Sequence, residues 1–238
     1  MSAQTVQPSP DSGARAPGVP STFPAWLPYR VRSWVAEIAG LTGPDAVNWC
    51  DGSQGERDSL YSRLPASQTC SPPPGHEDSE LEVSAESSSP TVWPAGWVDA
   101  VPHGLWVERD AIRRNVVRLF ANSMRGRTMY VVPYLALPDE LDLGLGIELT
   151  DSPWVVLNLG LTTSVGKAAM RRICGGYRWA ASVHSVGHPL LLKAGVRRPD
   201  VPWPCNPEKW IATLPVSGDI WSFGTGFGAV GFAGCLGQ

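Results

Sequence analysis

The segment Gly160–Ala168 comes closer than any other part of the sequence to a phosphate-binding loop. The apolar run Trp154–Leu159 before it is typical of a central strand buried on both faces, and Lys167–Cys174 predicts a helix after it. A P-loop needs four residues between its glycines, so that backbone N–H groups surround a phosphate, and a hydroxyl after its lysine for Mg²⁺. Here five residues separate the glycines, and alanine follows the lysine. We therefore expect no working P-loop.

A second glycine pattern, Gly226–Gly231, matches the G-x-G-x-x-G fingerprint of dinucleotide-binding folds and follows a predicted strand. That fingerprint also needs a helix whose N-terminus holds the pyrophosphate, and an acidic residue about 20 positions further on. Only seven residues follow the pattern in this sequence. We therefore do not expect a Rossmann site.

His184 and His188 are four residues apart, a spacing that could hold zinc if both lay on one face of a helix. Gly187 and Pro189 argue against a helix there. The sequence therefore favours a loop with two ordinary histidines, and no metal ligands are expected.

Four helices are predicted from the spacing of apolar residues and from helix-start signals. Ser53 and Glu56 have the spacing of a capping box, in which each side chain satisfies a free backbone N–H. The first helix begins at Pro28 and ends within Gly40–Pro44, and the second runs from Ser53 to about Leu64. The third runs from Val107 to Asn122, and the fourth spans Lys167–Cys174.

The remaining apolar runs predict short strands, and the mixture gives one α/β domain in which helices flank a mixed β-sheet. Besides the run before Gly160, the strand candidates are Thr128–Val132, Trp179–Val183, Trp210–Leu214 and Ile220–Phe223.

Composition limits the possible partners and the compartment. The net charge is −3 and the pI is about 5.8, so the basic excess that favours nucleic acids and anionic membrane surfaces is missing. There is no secretory signal and no apolar run of membrane-spanning length. The five cysteines include no C-x-x-C pair, which favours reduced thiols. We predict a cytoplasmic protein that binds neither nucleic acid nor membrane.

The sequence divides into five parts. Residues 1–24 are rich in Pro, Ser and Gly and are predicted to be disordered, and residues 25–64 form the helical start of the domain. Residues 65–94 are an acidic Pro/Ser-rich insert that cannot bury enough apolar surface to offset its ordering entropy. Residues 95–234 form the main α/β domain, and residues 235–238 are a short tail.

Several strings resemble GTP-dependent phosphoenolpyruvate carboxykinase, most of all the bacterial form, and they occur in the order that this family has them. They cover somewhat more than half of this chain and less than half of a full family member. The strings are Trp34–Ile38, Pro44–Ser53, Met124–Pro133, Gly146–Pro153, His184–Gly187, Trp203–Asn206 and Ser222–Gly228. The resemblance implies the fold of the family's N-terminal substrate-binding domain.

The resemblance also implies a reaction. The family is a lyase of gluconeogenesis that converts oxaloacetate and GTP to phosphoenolpyruvate, GDP and CO₂ with Mn²⁺ or Mg²⁺. Decarboxylation produces an enolate, which needs a metal ion and cationic side chains. Transfer of the phosphoryl group needs a phosphate cradle and in-line positioning.

The positions that handle charge in the family differ in this sequence. The family has a substrate-binding arginine in a region that corresponds to the insert of residues 65–94, which has no such arginine. Gly160 and Ser164 stand where the family has two arginines, and Cys235 and Leu236 stand where it has two lysines, the first a metal ligand. The family's metal-binding histidine, P-loop and guanine pocket would follow Gln238.

The family's substrate loop is matched by Phe227, Gly228 and Ala229, in place of Tyr-Gly-Gly. Phe227 keeps the ring without the hydroxyl, Gly228 keeps the close backbone approach, and Ala229 adds a methyl group. These three are the substrate-binding residues that the resemblance implies, in degraded form. For Glu148 and Asp151 a strand end and turn are preferred to a catalytic role.

We predict an inactive N-terminal fragment, or pseudoenzyme, that binds neither GTP nor a metal ion by itself. A second hypothesis is an enzyme whose missing C-terminal half comes from another polypeptide. A third is a non-catalytic binding or regulatory module that retains the fold of the substrate domain.

Overall fold

The computed structural model describes residues 26–64, 91–92, 109–136, 144–190, 205–214 and 219–226. The five helices of these residues are α1 Tyr29–Thr42, α2 Gln54–Tyr61, α3 Arg109–Phe120, α4 Pro153–Thr162 and α5 Lys167–Cys174. The eight strands are β1 Ala46–Trp49, β2 Thr91–Val92, β3 Thr128–Ala136, β4 Leu145–Thr150, β5 Thr163–Val165, β6 Ala180–Ser185, β7 Trp210–Leu214 and β8 Asp219–Phe223.

All eight strands belong to one mixed sheet, which confirms the predicted α/β class. The strand order is β1-β3-β4-β6-β8-β7-β2, and β5 pairs with β3 beyond the end of β1. Strands β4, β6 and β8 are parallel neighbours, whereas β3 is antiparallel to β4 and β7 is antiparallel to β8. The three parallel strands therefore end together, at what we call the carboxyl edge of the sheet.

Two apolar layers cover the sheet. The larger layer lies on the side of α1, α3 and α5, and it contains Val131, Ile147 and Val183 of three neighbouring strands. The smaller layer lies on the side of α2 and α4 and contains Val132 of β3 and Val156 of α4. Because side chains alternate along a strand, β3 supplies Val131 to one layer and Val132 to the other.

Helices α1 and α5 follow the prediction from the sequence. Helix α1 ends at Gly43, whose left-handed conformation (φ 64°) ends the helix in the manner favoured by glycine. Helix α2 begins after Ser53, whose hydroxyl accepts a hydrogen bond from the backbone N–H of Glu56 at 3.2 Å. The Glu56 carboxylate accepts instead from the N–H groups of Asp51 and Gly52, so half of the predicted capping box is present.

The prediction of a strand at Trp154–Leu159 is wrong, because these residues form the centre of α4. Ser152 caps this helix by accepting from the N–H of Val155, and Pro153 occupies the first helical position, where its missing N–H carries no penalty. A short apolar run fits a buried strand and a buried helix equally well, and the local start signals decide in favour of the helix.

Several predictions fall on residues outside the described ranges. They are the predicted disorder of residues 1–24, the predicted disorder of residues 65–94 apart from Thr91 and Val92 of β2, the first two residues of the helix predicted from Val107, and the tail of residues 235–238. Within the described part of the chain, no helix has the length and apolar character needed to cross a bilayer.

Candidate functional site at the carboxyl edge

A row of buried polar side chains crosses the sheet next to its carboxyl edge. The strand register places one residue from each of β3, β4, β6 and β8 side by side on the face that carries α4. We call these four residues the cross-strand row: Tyr130, Thr150, His184 and Ser222. Neighbouring strands lie about 4.8 Å apart, so the row spans about 14 Å.

The centre of the row is the imidazole of His184, which is fully buried in β6 and hydrogen-bonded at both nitrogens. Its Nε2 lies 2.9 Å from the carbonyl oxygen of Thr225, and its Nδ1 lies 2.8 Å from Oγ1 of Thr150. A carbonyl only accepts, so Nε2 carries the proton and Nδ1 accepts from the threonine. The prediction that His184 lies in a loop is therefore wrong.

The same bonds fix the ends of three strands. Thr150 Oγ1 also accepts from the N–H of Ser152 at 3.1 Å, which ties β4 to the start of α4. The hydroxyls of Ser222 and Thr225 lie 2.7 Å apart, and the N–H of Gly224 donates to the carbonyl of Ser185 at 2.8 Å. The turn after β8 is therefore held by β6 up to Thr225.

Burial lowers the pKa of His184, because a charged imidazolium loses its hydration there. The carboxylate of Asp151 and the carbonyl of Thr225 act in the opposite direction but do not outweigh burial. His184 is therefore a neutral ring of fixed orientation at physiological pH.

Asp151 organises the loops just beyond the row. One carboxylate oxygen accepts from the N–H of Val186 at 2.9 Å, and the other accepts from the hydroxyl of Ser185 at 3.1 Å. The guanidinium of Arg127 faces the second oxygen, with Nε at 3.7 Å, and donates to the carbonyl of His188 at 2.7 Å. Arg127 and Asp151 are both almost fully buried. We call these residues the loop network.

The pKa of Asp151 is raised, because burial disfavours its charged form more than its partners favour it. The positive charge of Arg127 is the largest opposing influence, followed by His184 and the hydrogen bonds from residues 185 and 186. A buried ion pair of this kind is sensitive to the removal of either partner.

A second buried carboxylate lies one step further from the edge. Glu148 of β4 accepts from the hydroxyl of Ser182 on β6 at 2.6 Å. The phenol of Tyr134 lies on the same side, and its pKa is raised mainly by burial and further by the charge of Glu148. The sequence preference for a strand end at Glu148 and a turn after it agrees with β4 ending at Thr150 and α4 beginning at Pro153.

These groups are arranged to position the edge rather than to attack a substrate. Both nitrogens of His184 are engaged, and both carboxylates accept hydrogen bonds from neighbouring strands. Sequence reasoning did not identify the row, although a signal was present: polar residues recur at every second position in Glu148–Thr150 and in Ser182–His184. In a strand this period places them on one face.

The structure gives a physical reason why the segment Gly160–Ala168 does not form a phosphate loop. Gly160 lies inside α4, and the backbone N–H of Thr163 donates to the carbonyl of Leu159, as in a continuing helix. The N–H of Gly166 donates to the carbonyl of Pro133 at 2.8 Å. These donors are used within the fold and do not converge on an empty space.

The residues that follow β1 also pack directly against this segment. A side chain on Gly166, which has φ 102°, would have its Cβ 2.0 Å from the carbonyl oxygen of Asp51. Lys167 points toward the carboxylate of the same residue, with Nζ 3.9 Å from Oδ2. The pKa of Asp51 is lowered, first by its hydrogen bonds with Ser53 and less by Lys167.

Gly166→Ala is expected to lower the free energy of unfolding by about 1–3 kcal/mol, because it adds both a strained φ and a collision with backbone. Gly160→Ala is the matched control: no atom lies within 4 Å of the added Cβ, and alanine favours a helix over glycine by about 0.5–1 kcal/mol. Urea unfolding followed by tryptophan fluorescence measures both. Equal stability of the two variants would contradict the close packing at Gly166.

The positions matched to family arginines lie away from the carboxyl edge. Gly160 is exposed in the last turn of α4, and Ser164 of β5 pairs with Leu135 near the opposite end of β3. Phe227, Gly228 and Ala229 lie outside the described residues, which reach Gly226. Their implied role stays a prediction.

No group of three or more His, Cys, Asp or Glu residues within the described ranges is arranged to hold a metal ion. His184 is committed to Thr150 and Thr225, and the exposed His188 lies beyond the end of β6. Within these ranges His184 and His188 are therefore not part of a metal-binding cluster.

Comparison with known proteins identifies the relatives of this chain. Residues 33–234 match the family model described as "Phosphoenolpyruvate carboxykinase N-terminal domain". The chain is 36% identical over 209 residues to "Phosphoenolpyruvate carboxykinase [GTP]" of Renibacterium salmoninarum, and the matched region covers 84% of the chain and 34% of that relative. The protein of the same name from Corynebacterium kroppenstedtii is 37% identical over 211 residues, 82% of the chain and 32% of the relative. The chain spans about a third of the length of these curated relatives.

Proposed function

The chain belongs to the phosphoenolpyruvate carboxykinase N-terminal domain family, and we propose that it provides the substrate-binding fold of a GTP-dependent carboxykinase without catalysing the reaction by itself. The reaction in question converts oxaloacetate and GTP to phosphoenolpyruvate, GDP and CO₂. In this proposal oxaloacetate or phosphoenolpyruvate is the ligand, and the protein acts in the cytoplasm. Catalysis would need GTP-binding and metal-binding groups other than the described residues, supplied for instance by a second polypeptide.

The hydrogen-bonded frame at the carboxyl edge, formed by the cross-strand row and the loop network, supports the substrate-binding part of this proposal. In open α/β sheets, ligands bind beyond the carboxyl ends of the parallel strands. His184 and Ser185 hold the turn after β8 up to Thr225, two residues before the predicted substrate residue Phe227. A frame with its hydrogen bonds intact fits a domain that still positions this edge.

The single observation that carries the proposed lack of catalysis is the substitution of charged groups by neutral ones. Gly160 and Ser164 stand at arginine positions of the family pattern, and Gly160 presents no side chain to solvent. An enolate and a transferring phosphoryl group both need fixed positive charge. The lysine-containing segment that could have held phosphate is closed against Asp51.

Purified full chain is expected to show no GTP-dependent decarboxylation of oxaloacetate in the presence of Mn²⁺ above the rate of a buffer control. Phosphoenolpyruvate formation, rather than CO₂ release, is the measurement, because oxaloacetate also loses CO₂ spontaneously. A full-length carboxykinase relative in the same assay is the positive control. Formation of phosphoenolpyruvate by the chain, dependent on both GTP and Mn²⁺, would overturn the proposed lack of catalysis.

A second candidate is a non-catalytic binding or regulatory module. The observation that favours it is the contrast between the complete hydrogen bonding of His184 and Asp151 and the loss of charge at the arginine positions. Such a module would bind a small anion without turnover. Addition of a polypeptide that carries the GTP-binding and metal-binding groups separates the two candidates, because only the first is then expected to form phosphoenolpyruvate.

A further inference from the structure

The exposed end of the cross-strand row carries a guanidinium. Arg63 follows α2 and is exposed, and its Nη1 donates to the phenol oxygen of Tyr130 at 3.1 Å. Tyr130 itself is almost fully buried, with 3% of its surface exposed. A rigid buried side chain therefore fixes the position of a solvent-accessible cation at the carboxyl edge.

Most donors of this guanidinium have no partner among the described residues. An arginine side chain has five N–H groups, and within the described ranges the structure gives Arg63 one hydrogen bond, to Tyr130. Arg57, six residues earlier, is different: its three nitrogens already donate to Gln54 and to the carbonyl of Gly52. Within the described part of α2 and the turn after it, Arg63 is thus the arginine that is both held in place and open.

The electrostatic surroundings connect Arg63 to the frame. Burial raises the pKa of Tyr130, Arg63 lowers it, and Cys50 and Asp151 raise it slightly. The pKa of the phenol is therefore influenced both by the exposed cation and by the buried carboxylate of the loop network. The negative charge of Asp151 is already faced by Arg127, at 3.7 Å.

We propose that Arg63, held by Tyr130, binds the carboxylate group of a small dicarboxylate at the carboxyl edge, and so replaces the substrate-binding arginine that the insert of residues 65–94 lacks. The planar fork of a guanidinium matches a carboxylate through two parallel hydrogen bonds, which a lysine cannot provide. This inference rests on the proposed substrate-binding function and adds to it the residue that binds the anion.

The test is a titration of the ¹⁵N-labelled full chain with sodium malonate, a three-carbon dicarboxylate, followed by NMR of the backbone amides and arginine Nε–H groups. Sodium chloride at equal ionic strength is the reference. Saturable shifts are expected for the Nε–H of Arg63 and for amides near Tyr130. Arg63→Gln should weaken binding at least about tenfold, which corresponds to about 1.4 kcal/mol. Arg63→Lys should weaken it several-fold, because the charge remains and the fork is lost.

Two further variants separate the effect of the position of the Arg63 guanidinium from the effect of its charge. Arg57→Gln removes the same charge from α2 and should leave the dissociation constant within about twofold, because the donors of Arg57 are already used. Tyr130→Phe keeps the charge of Arg63 but removes the hydrogen bond that holds its guanidinium in place, and should weaken binding about two- to fivefold. Melting temperatures of all variants verify folding.

Two results would overturn the inference: no saturable shift in the wild-type chain, or equal affinities of the Arg63→Gln and Arg57→Gln variants. Neither depends on turnover. Phosphoenolpyruvate formation by the chain would contradict the proposed function while leaving the titration interpretable, so the two failures are distinguishable.

Discussion

Asp151→Ala is expected to lower the free energy of unfolding by about 3–5 kcal/mol, because it removes the carboxylate that faces the buried guanidinium of Arg127. The same change leaves the N–H of Val186 and the hydroxyl of Ser185 without the acceptor that they now share. Urea unfolding at pH 7, followed by tryptophan fluorescence, measures the loss. Because several loops meet at this carboxylate, a loss of stability larger than this range would indicate that the whole carboxyl edge rearranges.

Asp58→Ala is the control for this experiment. Asp58 is exposed on α2 and accepts one hydrogen bond from Gln54 at 2.8 Å, so its replacement should change stability by no more than about 0.5 kcal/mol. A loss below about 1 kcal/mol for Asp151→Ala would show that the loop network contributes little net stability.

His184→Asn should lower the free energy of unfolding by about 2–4 kcal/mol at pH 8, because it opens a cavity and breaks a bridge between β4, β6 and the turn after β8. The loss should shrink as the pH falls. The folded state holds His184 neutral, with its pKa below the ordinary value of 6.5, whereas the unfolded chain binds a proton near that value. The wild-type protein therefore loses the contribution of His184 as the pH falls from about 6.5 toward the lower pKa of the folded state.

Urea midpoints of both proteins between pH 5 and pH 8 measure this difference. Asp151 is present in both proteins, and its raised pKa favours the folded state at acid pH. His184→Asn removes one influence that lowers this pKa, so the change at Asp151 also shrinks the wild-type advantage as the pH falls. His188→Asn is the control, because its ring is exposed and its backbone carbonyl is what accepts from Arg127. A wild-type advantage over His184→Asn that does not change with pH would contradict a neutral buried imidazole.

The elements predicted correctly from sequence have strong local signals. Helix α5 has the predicted bounds, and β7 and β8 lie where their apolar residues indicated. The wrong strand at α4 also has a local cause: an apolar run fits a strand, whereas Ser152 and Pro153, a cap and a first-turn proline, start a helix. His184 lies one residue beyond the strand predicted at Trp179–Val183, because β6 continues to Ser185.

The site could not have been predicted to the same extent, because its contacts join distant parts of the chain. Asp151 and Ser185 are 34 residues apart, and Arg127 and His188 are 61 apart. Periodicity gives the face on which a residue lies, but not the strand that lies next to it. The order β4-β6-β8, which brings Thr150, His184 and Ser222 together, is a property of the whole sheet. The contact of Arg63 with Tyr130 could not be predicted from the sequence either, because the two residues are 67 positions apart and no local pattern links them.

The position of β8 in the chain has a consequence for synthesis on the ribosome. His184 finds its Thr225 acceptor in the turn after β8, the last strand of the described chain, and β8 also separates β6 from β7 in the sheet. Until residue 225 has left the exit tunnel, β6 is an open edge with an imidazole whose hydrogen bond is not yet formed. Such edges invite pairing with other chains. The nascent protein should therefore depend on chaperones most strongly just before its last described strand emerges.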